Sequence, residues 1–530
     1  MKRLSLILIM VLAVVTPVIT PSCTNLEEEV FNDLTPSNFP QTRSELIALV
    51  GSAYTTLYAW GQHNTYLSLQ EVSSDEAMIP IRGADWIDGQ QWYRVHRHEY
   101  NSNEESINNA WNFIYRGVLT CNNVIETLKA ASSNPDGAVT QEEADAFIAE
   151  MRGLRALYYY WLMDAWGNVP LVVDLNEGEV QDPNPSNTPR AEIHAFLVSE
   201  LENISGNLLR EKSVNSYGRF NYYAAQALLA KLQLNAEVYT GVANWGAVVT
   251  ACDNIINSGL YDLTPDYFDN FNADNDQGGI GTSESIFVIP FDAQQAPGFN
   301  ISQMTLHYSS QATFQLQEQP WNGYCTLAEF YNSYDDTDAR KGVWGDQQTR
   351  GNFLAGPQYT TDGVTPITDT GTEAADPDGD EVVFTPELNE AWPNALRQAG
   401  ARIAKYEYEI GQGQHSNVDF QILRYADVLL MKAEALWRQN AGSADALALV
   451  NQVRARAGVA DLPALTADDL LAERGREMFY EGWRRNDLIR FGKYNDEWEY
   501  KPASAPTVNV FPLPQPKLNT NPNLQQNPGY

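Results

Sequence analysis

The stretch from Asp75 to His98 carries the side chains best suited to holding a ligand. It contains Asp75, Glu76, Arg82, Asp85, Trp86 and Trp92, set among Pro80, Gly83 and Gly89 and closed by His96 and His98. Clustered Gly, Asp and Pro predict a connection rather than a helix. An indole in a polar loop is poorly placed for a core, and its rigid face can stack on the C–H surface of a sugar. Asp75, Arg82 and Asp85 could hold vicinal hydroxyls through paired hydrogen bonds. A second stretch, Trp321-Asn322-Gly323-Tyr324, follows Pro320 and offers two further rings beside an amide that both donates and accepts. Tyr406 and Tyr408 are weaker additions. The competing readings are a Trp86 that folds back to cap packed helices, with Asp and Arg paired beneath it, and a plain turn at Gly323 with both rings buried.

Other groups could do chemistry but favour architecture. Glu473, Glu477 and Glu481 recur at i, i+4 and i+8, with Arg474, Arg484, Arg485, Asp487 and Arg490 around them. Like charges on one helical face repel. They are tolerable if arginines from elsewhere, such as Arg424, Arg454 or Arg456, lie against them; an ion-pair network of this kind is structural rather than catalytic. Asp376, Asp378 and Asp380, with Glu387 twelfth from Asp376, hint at a calcium loop, but Glu381 stands where that loop needs glycine, so a solvated hairpin tip is the better reading. The spacing of His96 and His98 does not make a metal site and points to a surface or interfacial role. No Gly-rich phosphate loop, Gly-x-Ser-x-Gly elbow or His-Glu-x-x-His motif is present. Neither a metal nor a cofactor is expected.

The chain has 530 residues and a formal net charge of −34. That charge argues against nucleic acid or anionic lipid as a partner. A heavily sulfated or uronate-rich glycan would need a local basic patch that the sequence does not display. With 27 Tyr and 13 Trp, amphipathic rings are plentiful, which suits a neutral sugar.

The elements that must position these residues are mostly helices. Lys2 and Arg3 precede an apolar run from Leu4 to Val18, then small residues leading to Cys23, which is the pattern of a secretory signal. Helical apolar spacing marks Ser44–Trp60, Glu105–Ala131, Gln141–Trp166, Arg190–Leu209, Tyr222–Val238 and Trp245–Ser258. In the last third, Ile422, Ala426, Leu429, Ala433 and Leu436 share one face, and Ala446, Val450, Val453 and Ala457 another. Thr466 and Asp469 form a capping box before the helix bearing the three glutamates. Helix pairs of about 34 residues suggest tetratricopeptide-like units, which stack because none can bury its apolar face alone. Between them the chain is rich in Asn, Asp, Gly and Pro, with short strand candidates at Ile286–Phe291 and Val382–Phe384. After Lys501, prolines predict a tail without regular helix that wraps the surface. The predicted fold is mainly α, with tetratricopeptide-like helical-hairpin repeats and an irregular, loop-rich second lobe. The expected divisions are 1–22 as signal, 23–260 as N-terminal helical region, 261–400 as irregular lobe and 401–530 as C-terminal region. Of the cysteines after Cys23, Cys121 and Cys252 sit in helical patterns as small core residues, and with Cys325 they make an odd count that builds no disulfide framework.

Several motifs carry a resemblance. Arg424-Tyr-Ala-Asp427-Val-Leu-Leu-Met431 with Ala433-Glu434-Ala435, Asn451-Gln-Val-Arg454-Ala-Arg456-Ala-Gly458, Glu473-Arg474 with Glu477, and Glu481-Gly482-Trp-Arg484 leading to Asp487-Leu-Ile-Arg490 occur in order. The ending Phe511-Pro512-Leu513-Pro514, Asn521-Pro522 and Gln526-Asn527-Pro528-Gly529-Tyr530 follows them, and Leu154-Arg155-Ala156 ahead of Trp166-Gly167-Asn168-Val169-Pro170-Leu171 precedes them. Together these resemble the SusD/RagB family, outer-membrane lipoproteins of the Bacteroidota that capture glycans for a TonB-dependent transporter. The resemblance implies a non-catalytic oligosaccharide-binding protein at the cell surface, anchored in the outer membrane through a lipid on Cys23, that caps a SusC-like transporter. It also implies that the N-terminal loop and the central region share one glycan site. Thr20-Pro21-Ser22 departs from the usual sequence before a lipidated cysteine, while the acidic run Glu27–Glu29 is similar to a surface-export signal. Two alternatives stand beside this: a helical glycoside hydrolase drawing on Asp75, Glu76 and Asp85 as its carboxylates, and a peptide-capturing protein of the RagB branch.

Overall fold

Side-chain caps open the main helices where apolar periodicity begins. Thr42, Thr140 and Thr466 each accept a hydrogen bond from the amide three residues on, and Glu45, Glu143 and Asp469 reach back to close the box. The helices so started, with their neighbours, are α1 (Arg43–Thr55), α2 (Tyr66–Val72), α3 (Glu105–Ser132), α4 (Gln141–Trp166), α5 (Arg190–Ile204), α6 (Tyr222–Leu234), α7 (Trp245–Ile256), α8 (Tyr425–Gln439), α9 (Ala444–Arg456), α10 (Ala467–Met478) and α11 (Arg484–Arg490). The computed structural model describes residues 39–133, 138–173, 182–369, 376 and 379–530, so Cys23 and the signal-like segment before it lie outside the described residues.

The helices pair as hairpins, α3 with α4, α6 with α7 and α8 with α9, and α7 lies against α8. Small residues permit this closeness. A methyl group at Gly117 of α3 would overlap the Tyr158 ring of α4, and one at Gly153 would overlap Phe220. The hairpins of the two chain halves are also joined by charge, since Lys231 of α6 pairs with Asp427 of α8 at 2.5 Å and Lys432 of α8 with Asp253 of α7 at 2.5 Å. Pro40–Tyr530 is one compact unit, mainly helical as expected. Cys121, Cys252 and Cys325 are all free and buried. Among the described residues no helix is long and apolar enough to cross a membrane.

Among the described residues there are four two-stranded antiparallel pairs, most of their strands in the chain between the helical regions. β1 (Ala77–Met78) pairs with β3 (Cys325–Thr326), β2 (Ser285–Ile289) with β8 (Phe420–Arg424), β4 (Phe353–Leu354) with β7 (Arg402–Ile403), and β5 (Gly356–Pro357) with β6 (Val383–Phe384). The β1–β3 ladder ties the loop after Asp75 to the segment that follows Trp321. Ile422, expected on the first helical face of the C-terminal region, lies instead on β8; the helix begins at Tyr425. A buried apolar run that pairs with a second strand satisfies its backbone as well as a helix would, and periodicity alone does not separate the two.

The charged segment closes on a buried network. Arg424 bonds Glu477 at 2.7 Å, Glu481 at 2.7 Å and Glu284 at 3.0 Å. Arg340 meets Glu473 at 2.8 Å and Glu477 at 2.9 Å, Arg454 meets Glu473 at 2.9 Å, and Arg456 reaches both Glu284 and Glu477. Burial alone would push the Glu473 carboxyl up, but the charges of Arg340 and Arg476 hold it down at about 2. The arginines demanded by the three glutamates are therefore there. One detail differs: α10 stops at Met478, and Glu481 reaches Arg424 from beyond a left-handed Tyr480 (φ 55°) rather than from the same helix. Two further expectations are corrected. His96 and His98 are buried rather than at a surface, and bond to the Glu499 carbonyl and to Ser504 and the Ser73 carbonyl. The proline-rich tail does contain short helical pieces, a 3₁₀ turn at Pro506–Asn509 and an α-helix at Gln515–Thr520, because Pro506 and Pro516 sit in first turns where no amide donor is needed.

Candidate functional site

The loop after β1 is held in an unusual backbone. Trp86, Asp88, Gly89 and Gln90 all have positive φ (60°, 37°, 58° and 63°), and three of the four carry a Cβ. Such conformations cost of order 1–3 kcal/mol each and persist where surrounding structure enforces them, often at functional positions. Two short turns of helix, Asp88–Gln90 and Gln91–His96, follow in what was expected to be a plain connection. The second stretch is laced to the short helix Ile301–Thr305: the Trp321 amide donates to the Gln303 carbonyl at 2.7 Å, and the Gly323 and Tyr324 amides donate to the Met304 carbonyl at 2.9 Å. Asn322 also takes positive φ, 57°.

These two stretches meet. Trp86 donates its indole N–H to the Trp321 carbonyl at 2.7 Å, and its ring lies on the backbone of Gly323, where an added methyl would overlap it. Both indoles are half-buried, with Ile87 45% exposed beside them. His63, from the loop after α1, is the hub of the cluster. Its ring lies 5.0 Å from Trp86 at 90°, 6.0 Å from Trp321, 5.6 Å from Trp92 and 6.0 Å from Tyr324. Burial lowers the His63 pKa to about 4, so the imidazole is neutral at physiological pH. Its Nδ1 is 3.0 Å from the Tyr324 hydroxyl, which also bonds Ser68 at 2.7 Å.

The other expected ligand contacts are placed differently. Trp92 is 1% exposed and donates to Asp88; Tyr324 and Asn322 are fully buried, and Arg82 is 1% exposed. Arg82 spends its guanidinium on the carbonyls of Asn322, Leu396 and Ala399. The Asn322 amide donates to the Arg397 carbonyl at 3.0 Å and accepts from Arg402 at 2.8 Å. None of these four side chains can touch a ligand at the surface; they form the packed and hydrogen-bonded floor under Trp86 and Trp321. Asp75 is likewise no hydroxyl binder, because both its oxygens are held by Arg484, at 2.6 and 2.8 Å. Asp85 remains half-buried beside the indoles and accepts a hydrogen bond from the half-buried Tyr308 hydroxyl. Tyr406 is buried and Tyr408 nearly so, away from any surface role. His63 and Tyr308 are members of this candidate site that the sequence did not single out. The polar run Gly61–Thr65 after the helix end was the available signal for the first.

The calcium hint does not fit the residues present. Asp376 is buried against Arg397, whose amide it accepts. A guanidinium there takes the place a cation would need; Asp378 lies outside the described residues.

Stacked helical hairpins, with one half-buried indole from the loop after β1 and a second from the irregular lobe, define the class: a helical-repeat scaffold carrying an aromatic surface. Residues 398–530 match the family model described as the SusD family, and residues 31–234 match one described as starch-binding associating with the outer membrane. A starch-binding SusD protein of Bacteroides thetaiotaomicron is 26% identical over 417 residues, covering 72% of this chain and 72% of that protein. Among solved structures, a SusD superfamily protein from Parabacteroides distasonis aligns with a TM-score of 0.72 at 20% identity, covering 94% of this chain and all of that one. A surface glycan-binding protein A from Bacteroides thetaiotaomicron, in complex with laminarihexaose, aligns with a TM-score of 0.70 at 22% identity, covering 92% and 100%. The chain belongs to the SusD/RagB family.

Proposed function

We propose that this protein is a non-catalytic glycan-binding lipoprotein of the outer cell surface, anchored through Cys23, which captures an oligosaccharide on Trp86 and Trp321 and passes it to a SusC-like TonB-dependent transporter. The observation that carries the reading is the half-buried indole pair brought together across the fold, with the Trp86 N–H donating to the Trp321 backbone carbonyl and Trp86 held on a loop of positive φ. A pre-set aromatic surface loses little conformational entropy on binding, which suits capture of a flexible sugar. Asp85, Tyr308 and the neutral His63 edge add polar contacts to the stacking faces. The binding of starch and laminarihexaose by the named relatives supports the same ligand class.

Absence of hydrolysis is supported by the fate of the carboxylates. Asp75 is locked to Arg484, Glu76 is buried under the Tyr480 amide, and Asp85 is engaged by Tyr308. A glycosidase needs two free carboxylates about 5–10 Å apart across the scissile bond. In this reading the helical regions 23–260 and 401–530 form the scaffold, 1–22 is removed, and the lobe 261–400 supplies Trp321. The test is calorimetric titration with laminarin-, starch- and fructan-derived oligosaccharides, together with a reducing-end assay. Trp86→Ala is expected to abolish measurable binding of whichever sugar the wild type takes. Binding that survives this change, or sustained release of reducing ends, overturns the proposal.

A further inference from the structure

His63 also lines a groove of about 570 Å3 whose lining includes neither Trp86 nor Trp321. That volume is within the range of small-molecule sites, about 300–1,000 Å3. One wall is a single face of α3, since Asn109, Asn112, Phe113 and Arg116 fall at i, i+3, i+4 and i+7. The other wall is the 3₁₀ turn Thr56–Ala59 and the loop from Gln62 to Thr65.

The polar groups of the groove divide sharply. Its threonine hydroxyls are spent internally: Thr55 on the Ser52 carbonyl, Thr56 on the Ala53 carbonyl, and Thr65 on the carbonyls of Ala59, Trp60 and Gln62. The amides and the guanidinium are not. Among the described residues the side chains of Gln62, Asn112 and Arg116 have no partner, and Asn109 makes one long bond, 3.4 Å, to the Asn64 carbonyl. Arg116 lacks a carboxylate in a chain whose 68 acidic residues outnumber its 34 lysines and arginines. Amides that donate and accept, and a guanidinium that forks, are the groups that read vicinal hydroxyls.

We propose that this groove is a second subsite of the same glycan site, taking the continuation of an oligosaccharide whose first units lie on Trp86 and Trp321. The proposal rests on the glycan-binding reading above. His63 joins the two places: its ring stands edge-on to Trp86 and also lines the groove, so a chain passing between them crosses one neutral, half-buried imidazole. Gln62 on the loop wall and Asn112 and Arg116 on the α3 wall are its hydroxyl readers. The groove therefore selects for chain length, not for the first sugar.

The test is titration of the full mature protein with laminari-, malto- and fructo-oligosaccharides, from disaccharide to heptasaccharide. The series that binds wild type is then repeated with Asn112→Ala/Arg116→Ala, with Gln62→Ala on the opposite wall, and with Trp86→Ala. The double variant and Gln62→Ala are expected to weaken the longest oligosaccharides about ten-fold, the loss of one or two hydrogen bonds, and to leave the shortest binder unchanged. Trp86→Ala is expected to weaken every length. Equal affinity of wild type and both groove variants for the longest chains overturns the subsite, as does an equal loss at all lengths. If wild type binds none of these sugars while its melting transition is intact, the glycan reading has failed first, and the subsite falls with it.

Discussion

Gly323→Ala is a sharp test of how the site is held, because it acts on Trp86 without touching it chemically. The added methyl would stand 2.8 Å from the indole Cη2 and closer still to Cζ2 and Cε2, against an ordinary contact of about 3.4 Å or more. The ring must retreat by about 1 Å. Moving the indole that far stretches its 2.7 Å bond to the Trp321 carbonyl past hydrogen-bonding range, a loss of about 1 kcal/mol. Overpacking adds about 1–3 kcal/mol. With about 2.1 cal/mol/K of unfolding entropy per residue, a unit of this size shifts Tm by roughly 1 °C for each kcal/mol, so Tm should fall by about 2–4 °C. Sugar affinity should fall by about ten-fold or more as Trp86 leaves its seat on Gly323. The decisive comparison is a double-mutant cycle read by scanning calorimetry, which needs no ligand. In a Trp86→Ala background the methyl at position 323 has room, and Gly323→Ala should be close to silent. Additive losses of Tm in the double variant would refute the claim that Gly323 exists to seat Trp86.

Other expectations follow from the same structure. Glu477→Gln removes the one carboxylate that meets Arg424, Arg340 and Arg456 together, leaving buried positive charge uncompensated; a loss of about 3–5 kcal/mol, or a Tm lower by roughly 3–5 °C, should be seen, while Asp380→Asn at an exposed tip should be silent. His63 has a folded pKa of about 4 against 6.5 unfolded, so its contribution is full above about pH 6.5 and is lost as pH falls through 4. An NMR titration should place its midpoint near 4, and sugar binding should be flat from pH 8 to 6 and fall towards pH 4. Gly51→Ala in α1 meets nothing within 4 Å and should stabilise by up to about 1 kcal/mol, whereas Gly117→Ala meets the Tyr158 ring and should lower Tm despite the same gain in helix propensity.

The amino-acid order by itself determined the helices and their partners in charge. The spans Gln141–Trp166 and Glu105–Ala131 (the latter ending one residue later, at Ser132), the Thr466–Asp469 box and the need of Glu473 and Glu477 for arginines from elsewhere were all legible, because helical periodicity, caps and like-charge repulsion act over a few residues. The two stretches that meet at Trp86 and Trp321 could be singled out too, since a Trp among Gly, Asp and Pro draws notice. What the order could not say is which of those rings face outward. Trp86 and Trp92 stand six residues apart in one loop, yet one is half-buried at the surface and the other is sealed inside. Arg82 and Asn322 look like sugar ligands but are consumed by carbonyls from the 396–399 turn. Those outcomes depend on contacts between segments more than 200 residues apart, such as Trp86 to Trp321 and Asp75 to Arg484. A side chain's chemistry is local, but whether it meets water or another part of the chain is decided only when the distant segments close on each other.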